Sequence, residues 1–82
     1  MKRYIIKTTY IAKAEHPTYK EGYTETLYSG KERTLCRLCE WVEEDAYIRK
    51  SFAQKKIDKD NEYDEFYNRN KAWKVKREII EL

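Results

Sequence analysis

The sequence predicts an α+β domain in which a three-stranded antiparallel sheet is covered on one face by a long helix. Three observations support this prediction. Segments near both ends alternate between apolar and polar residues as strands do, the middle of the chain repeats apolar residues at helical spacing, and this middle segment opens on a capping-box pattern. A chain of 82 residues builds one core, so residues 1–82 are predicted to form a single domain.

Two strands are predicted in the first third of the chain. Residues 2–12 alternate and are rich in β-branched and aromatic side chains. Isoleucine occurs on both faces of this segment, which indicates a central strand. A polar connection then leads through Gly22 to a second alternating segment, residues 23–28. A connection of this length suits a loose hairpin, so the two strands are predicted to pair antiparallel.

The long helix is predicted over residues 29–57. The Ser29 hydroxyl would accept the N3 amide while Glu32 reaches back to the Ser29 amide, which satisfies two donors at the helix start. At 100° per residue, seven side chains fall within about 60° of one line and would pack on the sheet. They are Leu35, Leu38, Cys39, Val42, Ala46, Ala53 and Ile57.

A second apolar flank of this helix needs a separate cover. Trp41, Ile48 and Phe52 lie roughly 100 to 140° away from the core-facing line. A short second helix over residues 61–70, with aromatic residues at i, i+3 and i+4, is predicted to fold back over them. Without that cover the flank would be an apolar patch suited to a dimer contact, so a monomer and a homodimer both stay open.

The last strand is predicted over residues 71–82. Trp73 and Val75 fall on one face, and Lys74 and Lys76 on the other. The element order is then β-β-α-(α)-β, the bracketed helix being the short second one, with the helices on one face of the sheet.

Composition and charge narrow the classes of function. The chain carries 18 Lys and Arg against 15 Asp and Glu, a net charge of +3, too small to imply nucleic acid by charge alone. No apolar run is long enough for a signal peptide or a membrane helix. Two cysteines in such a chain are expected to be reduced thiols, so a protein of the host cell cytosol with no membrane partner is predicted.

Cofactor, metal and catalytic patterns are weak. Cys36 and Cys39 are spaced like half of a zinc site, but with His16 they supply only three ligands, and packing inside the helix, Cys39 more buried than Cys36, explains them better. Residues 58–69 begin like a calcium loop, yet Tyr63 replaces its glycine and Arg69 its bidentate glutamate. An exposed loop is the expected place for His16. We expect no cofactor, no metal and no enzymatic activity.

Aromatic residues give the leading functional prediction. Eight tyrosines exceed what so small a core can hold with their hydroxyls satisfied, so several must be exposed. Tyr19, Tyr23 and Tyr47 are the ones predicted to lie outside and to bind a protein partner, because tyrosine buries a large area at low entropic cost.

Basic residues give the alternative. Lys71, Lys74, Lys76 and Arg77 lie on or beside the last strand and, with Trp73, could track a phosphate backbone and stack on bases. Lysines on exposed strand positions also protect sheet edges from aggregation, which accounts for them without a ligand.

The chain as a whole resembles the very short proteins that phages and mobile elements encode, including anti-CRISPR proteins. The resemblance lies in the opening strand Met1-Lys2-Arg3-Tyr4-Ile5-Ile6-Lys7, the alternating acidic and basic blocks and the small sheet-and-helix order. It implies a stoichiometric inhibitor that docks on a larger nucleoprotein or nuclease and acts by steric and electrostatic occlusion. It identifies no functional residue, because these proteins share no common site.

Overall fold

A computed structural model of the chain describes residues 2–40 and 42–82. The strands are β1 (Tyr4–Ala12), β2 (Thr24–Ser29), β3 (Thr34–Leu35) and β4 (Trp73–Glu81), and the helices are α1 (Val42–Asp45), α2 (Lys50–Phe66) and a 3₁₀ turn (Arg69–Lys71). In these ranges no helix combines the length and the apolarity that crossing a membrane requires.

The strands form one antiparallel sheet in the order β3-β2-β1-β4. The predicted α+β class with an antiparallel sheet and one long helix is confirmed, and so is the pairing of the first two strands. In the central strand β1, Ile6 lies between Ser29 of β2 and Ile79 of β4. The predicted number of strands is wrong, since the described residues form four, the additional strand being β3.

The predicted helix start at Ser29 is also wrong. Ser29 is the last residue of β2, and the chain then turns back to form β3. The carboxylate of Asp45 replaces the expected cap, because it accepts the amides of Glu32 at 3.1 Å and Arg33 at 2.8 Å. Gly30 permits this approach, since a Cβ there would overlap the Asp45 side chain and carbonyl. The amides that the local capping pattern was expected to satisfy are therefore satisfied by a contact with a residue distant in the sequence.

The long helix lies later in the chain than predicted. It begins at Lys50 and runs for 17 residues to Phe66, so residues 61–66 extend it and do not fold back as a second helix. Ile48 and Phe52 are consequently exposed, at 53% and 48%. The third member of that predicted flank, Trp41, lies outside the described residues.

Two small cores lie on opposite faces of the sheet at one end. Ile6 packs with Ala53 and Ile57 of α2, whereas the adjacent Ile5 packs with Val42 of α1 and with Ala46, the residue after α1. The prediction that the helices share one face is therefore wrong. Neighbouring strand residues point to opposite faces, so two consecutive buried isoleucines require cover on both.

The chain changes faces at the end of the sheet, between the two helices. Ala46 belongs to the core beneath α1 and Tyr47 to the core beneath α2. Tyr47 exchanges two backbone hydrogen bonds with Tyr4, of 2.9 and 2.7 Å. This bridge fixes where the chain passes from one face to the other.

The cysteines do not pack in a helix as predicted. Cys36 and Cys39 lie in an irregular segment between β3 and α1, and both are exposed as free thiols. Leu38 between them is 50% exposed. The reason is that residues 36–40 follow a strand and do not form a helix. Their apolar spacing therefore does not place these side chains on one buried helix face.

A buried ion pair attaches α2 to the edge strand β4. The Arg77 guanidinium donates from Nη1 to Asp64 and to Asn61, both at 2.6 Å, and the Arg77 and Asp64 side chains are 4% and 2% exposed. The second Asp64 oxygen lies 3.1 Å from the guanidinium of Arg69, which is half exposed. Because both buried charges depend on each other, the pair fixes how α2 lies on the sheet.

Replacing Arg77 with alanine is expected to lower the free energy of unfolding by about 3–5 kcal/mol, because Asp64 would be left buried without its main partner. Urea denaturation measures this change. The matched control is Arg69→Ala, which removes the half-exposed partner of the same carboxylate and should cost less than about 1 kcal/mol. Equal losses in the two variants would contradict the assignment of Arg77 as the structural partner.

Burial raises the pKa of the Tyr47 phenol above its ordinary value, with Asp60 and Asp45 acting in the same direction and Lys56 against it. A raised pKa in the folded state means that the unfolded chain loses the proton first as the pH rises. The contribution of the protonated Tyr47 phenol to the free energy of unfolding is therefore fully present below about pH 10. It is lost as the pH rises through the folded-state pKa.

The free energy of unfolding should accordingly fall as the pH rises above about 10, and the fall should be smaller in Tyr47→Phe. Denaturant titrations at a series of pH values measure both. Tyr63→Phe, at an exposed tyrosine, serves as the control and should follow the unmodified protein. An identical alkaline loss in Tyr47→Phe would show that this phenol does not contribute.

Candidate functional site: an aromatic cluster at one end of the sheet

Aromatic side chains gather at the end of the sheet opposite the two cores. Tyr10 and Ala12 of β1 share the face of Ile6, and Trp73 of β4 lies opposite Ala12 in the register. On the other side of Ala12, the Tyr23 carbonyl accepts the Ala12 amide at 2.7 Å. The small Ala12 side chain, 2% exposed, thus lies between two large aromatic residues.

The connection between β1 and β2 adds two more rings. The Nδ1 atom of His16 accepts the backbone amides of Thr18 at 3.1 Å and Tyr19 at 3.0 Å, which closes a tight turn. The imidazole meets the Trp73 ring edge-on with the centroids 4.5 Å apart, and the Tyr19 ring lies 5.0 Å from it. His16 therefore positions Tyr19 above the strand residues.

We call Tyr10, His16, Tyr19, Tyr23 and Trp73 the sheet-end cluster. Its outermost part is the pair Tyr19 and Tyr23, whose rings are stacked 4.3 Å apart at 5°. Each of the two is 40% exposed. Beneath them Trp73 makes ring contacts with all four other members, the Tyr10 contact being edge-on at 5.8 Å.

A carboxylate accepts a hydrogen bond from one phenol of the cluster. The Tyr23 hydroxyl donates a hydrogen bond of 3.1 Å to Glu25, and this hydrogen bond raises the pKa of Tyr23. Gly22, the residue before Tyr23, has a φ of +91°, a conformation that residues other than glycine rarely adopt. The cluster therefore offers flat apolar faces with a fixed polar rim.

The structure brings two of the three predicted protein-binding tyrosines together. Tyr19 and Tyr23 are exposed and stacked, whereas Tyr47 is buried in the core beneath α2, so its predicted exposure is wrong. The prediction placed Tyr47 on a helix, but no helix forms at that position. The sequence analysis did not include Trp73 and His16 in this site. The alternation of the last strand, which places Trp73 on the same face as Val75, was the signal that could have indicated Trp73.

The predicted basic set does not come together. Lys74 and Lys76 lie on the sheet face opposite Trp73, because alternate residues of β4 point to opposite faces. Arg77 is buried against Asp64 on the other face, and Lys71 lies in the 3₁₀ turn. Lys74 and Lys76 thus lie on the sheet face opposite the stacked rings.

His16 lies in the predicted loop, whose neighbouring residues are exposed, but its own side chain is half-buried and not exposed as was predicted, because Trp73 and Tyr19 flank its ring. Across residues 2–40 and 42–82 no three His, Cys, Asp or Glu side chains are grouped so that they could hold a metal ion.

Comparisons with protein-family models, with curated proteins and with solved structures found no match.

Replacing His16 with alanine should speed hydrogen exchange at the Thr18 and Tyr19 amides at least about fivefold, since both would lose their acceptor. Exchange measured by NMR, corrected for the intrinsic rate of each sequence, reports this directly. His16→Asn is the matched variant, because an asparagine oxygen can accept the same amides, and it should keep most of the protection. Unchanged exchange in His16→Ala would show that the imidazole does not hold the turn.

Proposed function

We propose that this protein is a non-enzymatic protein-binding module that docks on a larger protein or nucleoprotein through the sheet-end cluster. The observation that carries the proposal is the exposed, stacked pair of Tyr19 and Tyr23 supported by Trp73. Tyrosine and tryptophan dominate the binding energy of protein interfaces, because they bury large areas and keep a polar tip.

Order within the cluster supports this use. The imidazole of His16 holds the Tyr19 backbone, and Glu25 holds the Tyr23 hydroxyl, so the two rings are oriented before a partner arrives. Binding then costs less side-chain entropy than it would with mobile rings. A flat aromatic surface with carboxylate and hydroxyl groups at its rim has the composition of an interface centre.

Inhibition by occlusion is the mechanism that we propose for this binding. It follows the resemblance to short phage- and mobile-element-encoded inhibitors, in which a small domain covers a functional surface of a nuclease or nucleoprotein without turnover. Both signs of charge are abundant on the chain, which suits electrostatic steering of such an encounter.

A nucleic-acid-binding protein that uses the basic face of β4 is the alternative. Lys74 and Lys76 share one sheet face with Lys7 of β1, and this observation favours contact with phosphate groups. The rings that would stack on bases lie on the other face, so one strand of nucleic acid could not readily use both. For this reason we place protein binding first.

The test begins with capture of partners from cells that naturally carry the gene, followed by titration of the purified partner in solution. The double variant Tyr19→Ala with Tyr23→Ala should lose about 2 kcal/mol or more of binding free energy, roughly 30-fold in Kd. If the partner is a nuclease, its inhibition should weaken in parallel.

The matched control is Lys74→Ala with Lys76→Ala, which alters two residues on the opposite sheet face. Protein docking through the cluster predicts a Kd near that of the unmodified protein and a weak dependence on salt. Binding that depends on these lysines, survives loss of both tyrosines and falls steeply with added salt would contradict the proposal and favour the nucleic-acid alternative.

A further inference from the structure

The outer side of α2 carries large aromatic side chains that nothing in the described chain covers. Phe66 is 77% exposed, Tyr67 64%, Phe52 48% and Tyr63 46%. Burial of Ala53, Ile57 and Asp64 fixes the opposite side of the helix as the one facing the sheet. An apolar surface of this kind on a small domain usually marks an interaction site.

Phe52, Tyr63 and Phe66 follow one line along the helix, and Tyr67 comes directly after its last residue. At 100° per residue, six side chains fall within about 100° of arc, centred about 130° or more from the buried side. We call them the outer stripe: Phe52, Lys55, Lys59, Glu62, Tyr63 and Phe66. A shallow groove of about 470 Å³ lies at its C-terminal end, lined by Lys59, Glu62, Tyr63, Phe66 and Tyr67.

We infer that the outer stripe binds a second copy of this chain, with the two α2 helices packed antiparallel to form a two-fold symmetric dimer. This inference goes beyond the proposed function, because it concerns a surface of α2 that contains no member of the sheet-end cluster. Symmetric dimers are the commonest soluble oligomers, and their interface must be complementary to itself.

The aromatic ends of the stripe satisfy that requirement. In an antiparallel pair centred on Lys59, Phe52 of each copy lies level with Phe66 of the other. Each Phe52 ring would then enter the groove beside Phe66 and Tyr63 of the second copy. Phe52 and Phe66 are 14 residues apart, about 21 Å along a helix, which is enough for four turns of contact.

Two of the three charged residues of the stripe, Lys55 and Glu62, are complementary in the same arrangement, while the two Lys59 side chains lie beside the two-fold axis, where their long stems let the ammonium groups extend to solvent. In antiparallel helix pairs each flank faces the same flank of the other helix, so Lys55 lies close to Glu62 of the second copy, and Glu62 to its Lys55. Among the described residues neither side chain forms an ion pair within the chain, and Lys55 lies 5.9 Å from the Phe52 ring centroid. Two symmetric ion pairs would therefore form without breaking existing ones.

Light scattering coupled to size-exclusion chromatography, repeated over a range of concentrations, measures the assembly. The unmodified chain should approach twice its mass of 10.1 kDa as concentration rises. Phe66→Glu should raise the dimer Kd more than about 100-fold, because it puts a charge in the apolar contact. Its circular dichroism should stay close to that of the unmodified chain, since Phe66 is mostly exposed, and its thermal midpoint should match that of the unmodified chain at concentrations where the unmodified chain is monomeric.

A charge-reversal cycle tests the antiparallel register. Lys55→Glu alone and Glu62→Lys alone should each raise the dimer Kd about tenfold, because like charges would face each other. The double variant Lys55→Glu with Glu62→Lys should restore the original Kd. Glu65→Lys is the matched control, since it makes the same charge change off the stripe, and it should leave the Kd within about twofold.

A cross-link provides a second readout of the same geometry. In a Cys36→Ser, Cys39→Ser background, Lys59→Cys places one thiol close to the two-fold axis, and oxidation should give a covalent dimer. A monomer at all concentrations would overturn the inference. A dimer that survives Phe66→Glu, or that the double charge reversal fails to restore, would also overturn it and would indicate another contact such as pairing of the exposed β4 edges.

Discussion

The constraint on which the rest of the structure depends is the burial of two consecutive isoleucines in the central strand. Ile5 and Ile6 point to opposite faces of the sheet and are 0% and 1% exposed. Each face therefore needs its own cover at that end. The chain provides it by passing from α1 on one side to α2 on the other through the bridge between Tyr47 and Tyr4. Covering both faces at one end leaves little chain to cover the other.

The exposed aromatic surfaces follow from that distribution. At the far end of the sheet, Tyr10 contacts Trp73, and the Trp73 ring contacts the loop residues His16 and Tyr19 and their neighbour Tyr23. On α2, the side facing the sheet holds Ala53, Ile57 and the paired Asp64, and the rings of Phe52, Tyr63 and Phe66 are exposed on the other side. Four of the eight tyrosines are exposed as a result. The fold thus separates a small apolar interior from two aromatic surfaces suited to contact with other macromolecules.

Strand alternation made the three long strands predictable from the sequence, because period-two patterns such as residues 73–80 are local. The helix boundaries were not predictable in the same way. Ser29 to Glu32 fits a capping box, but Asp45, 13 residues beyond Glu32, supplies the acceptor that those amides use. The ion pair of Asp64 with Arg77 likewise depends on contact between distant segments. The exposure of Tyr19 and Tyr23 follows from their positions in and just after the polar connection, whereas the burial of Tyr47 required knowing where the helix begins.

The proposed function requires that the stacked pair of Tyr19 and Tyr23 is accessible in the protein alone and covered in the complex with a partner. Hydroxyl-radical footprinting of tyrosines, in the protein alone and with its purified partner, measures both states. Both rings should be modified in the protein alone and become protected in the complex, while Tyr47 stays protected throughout. Protection of Tyr19 and Tyr23 in the protein alone, or their full modification in the complex, would contradict it.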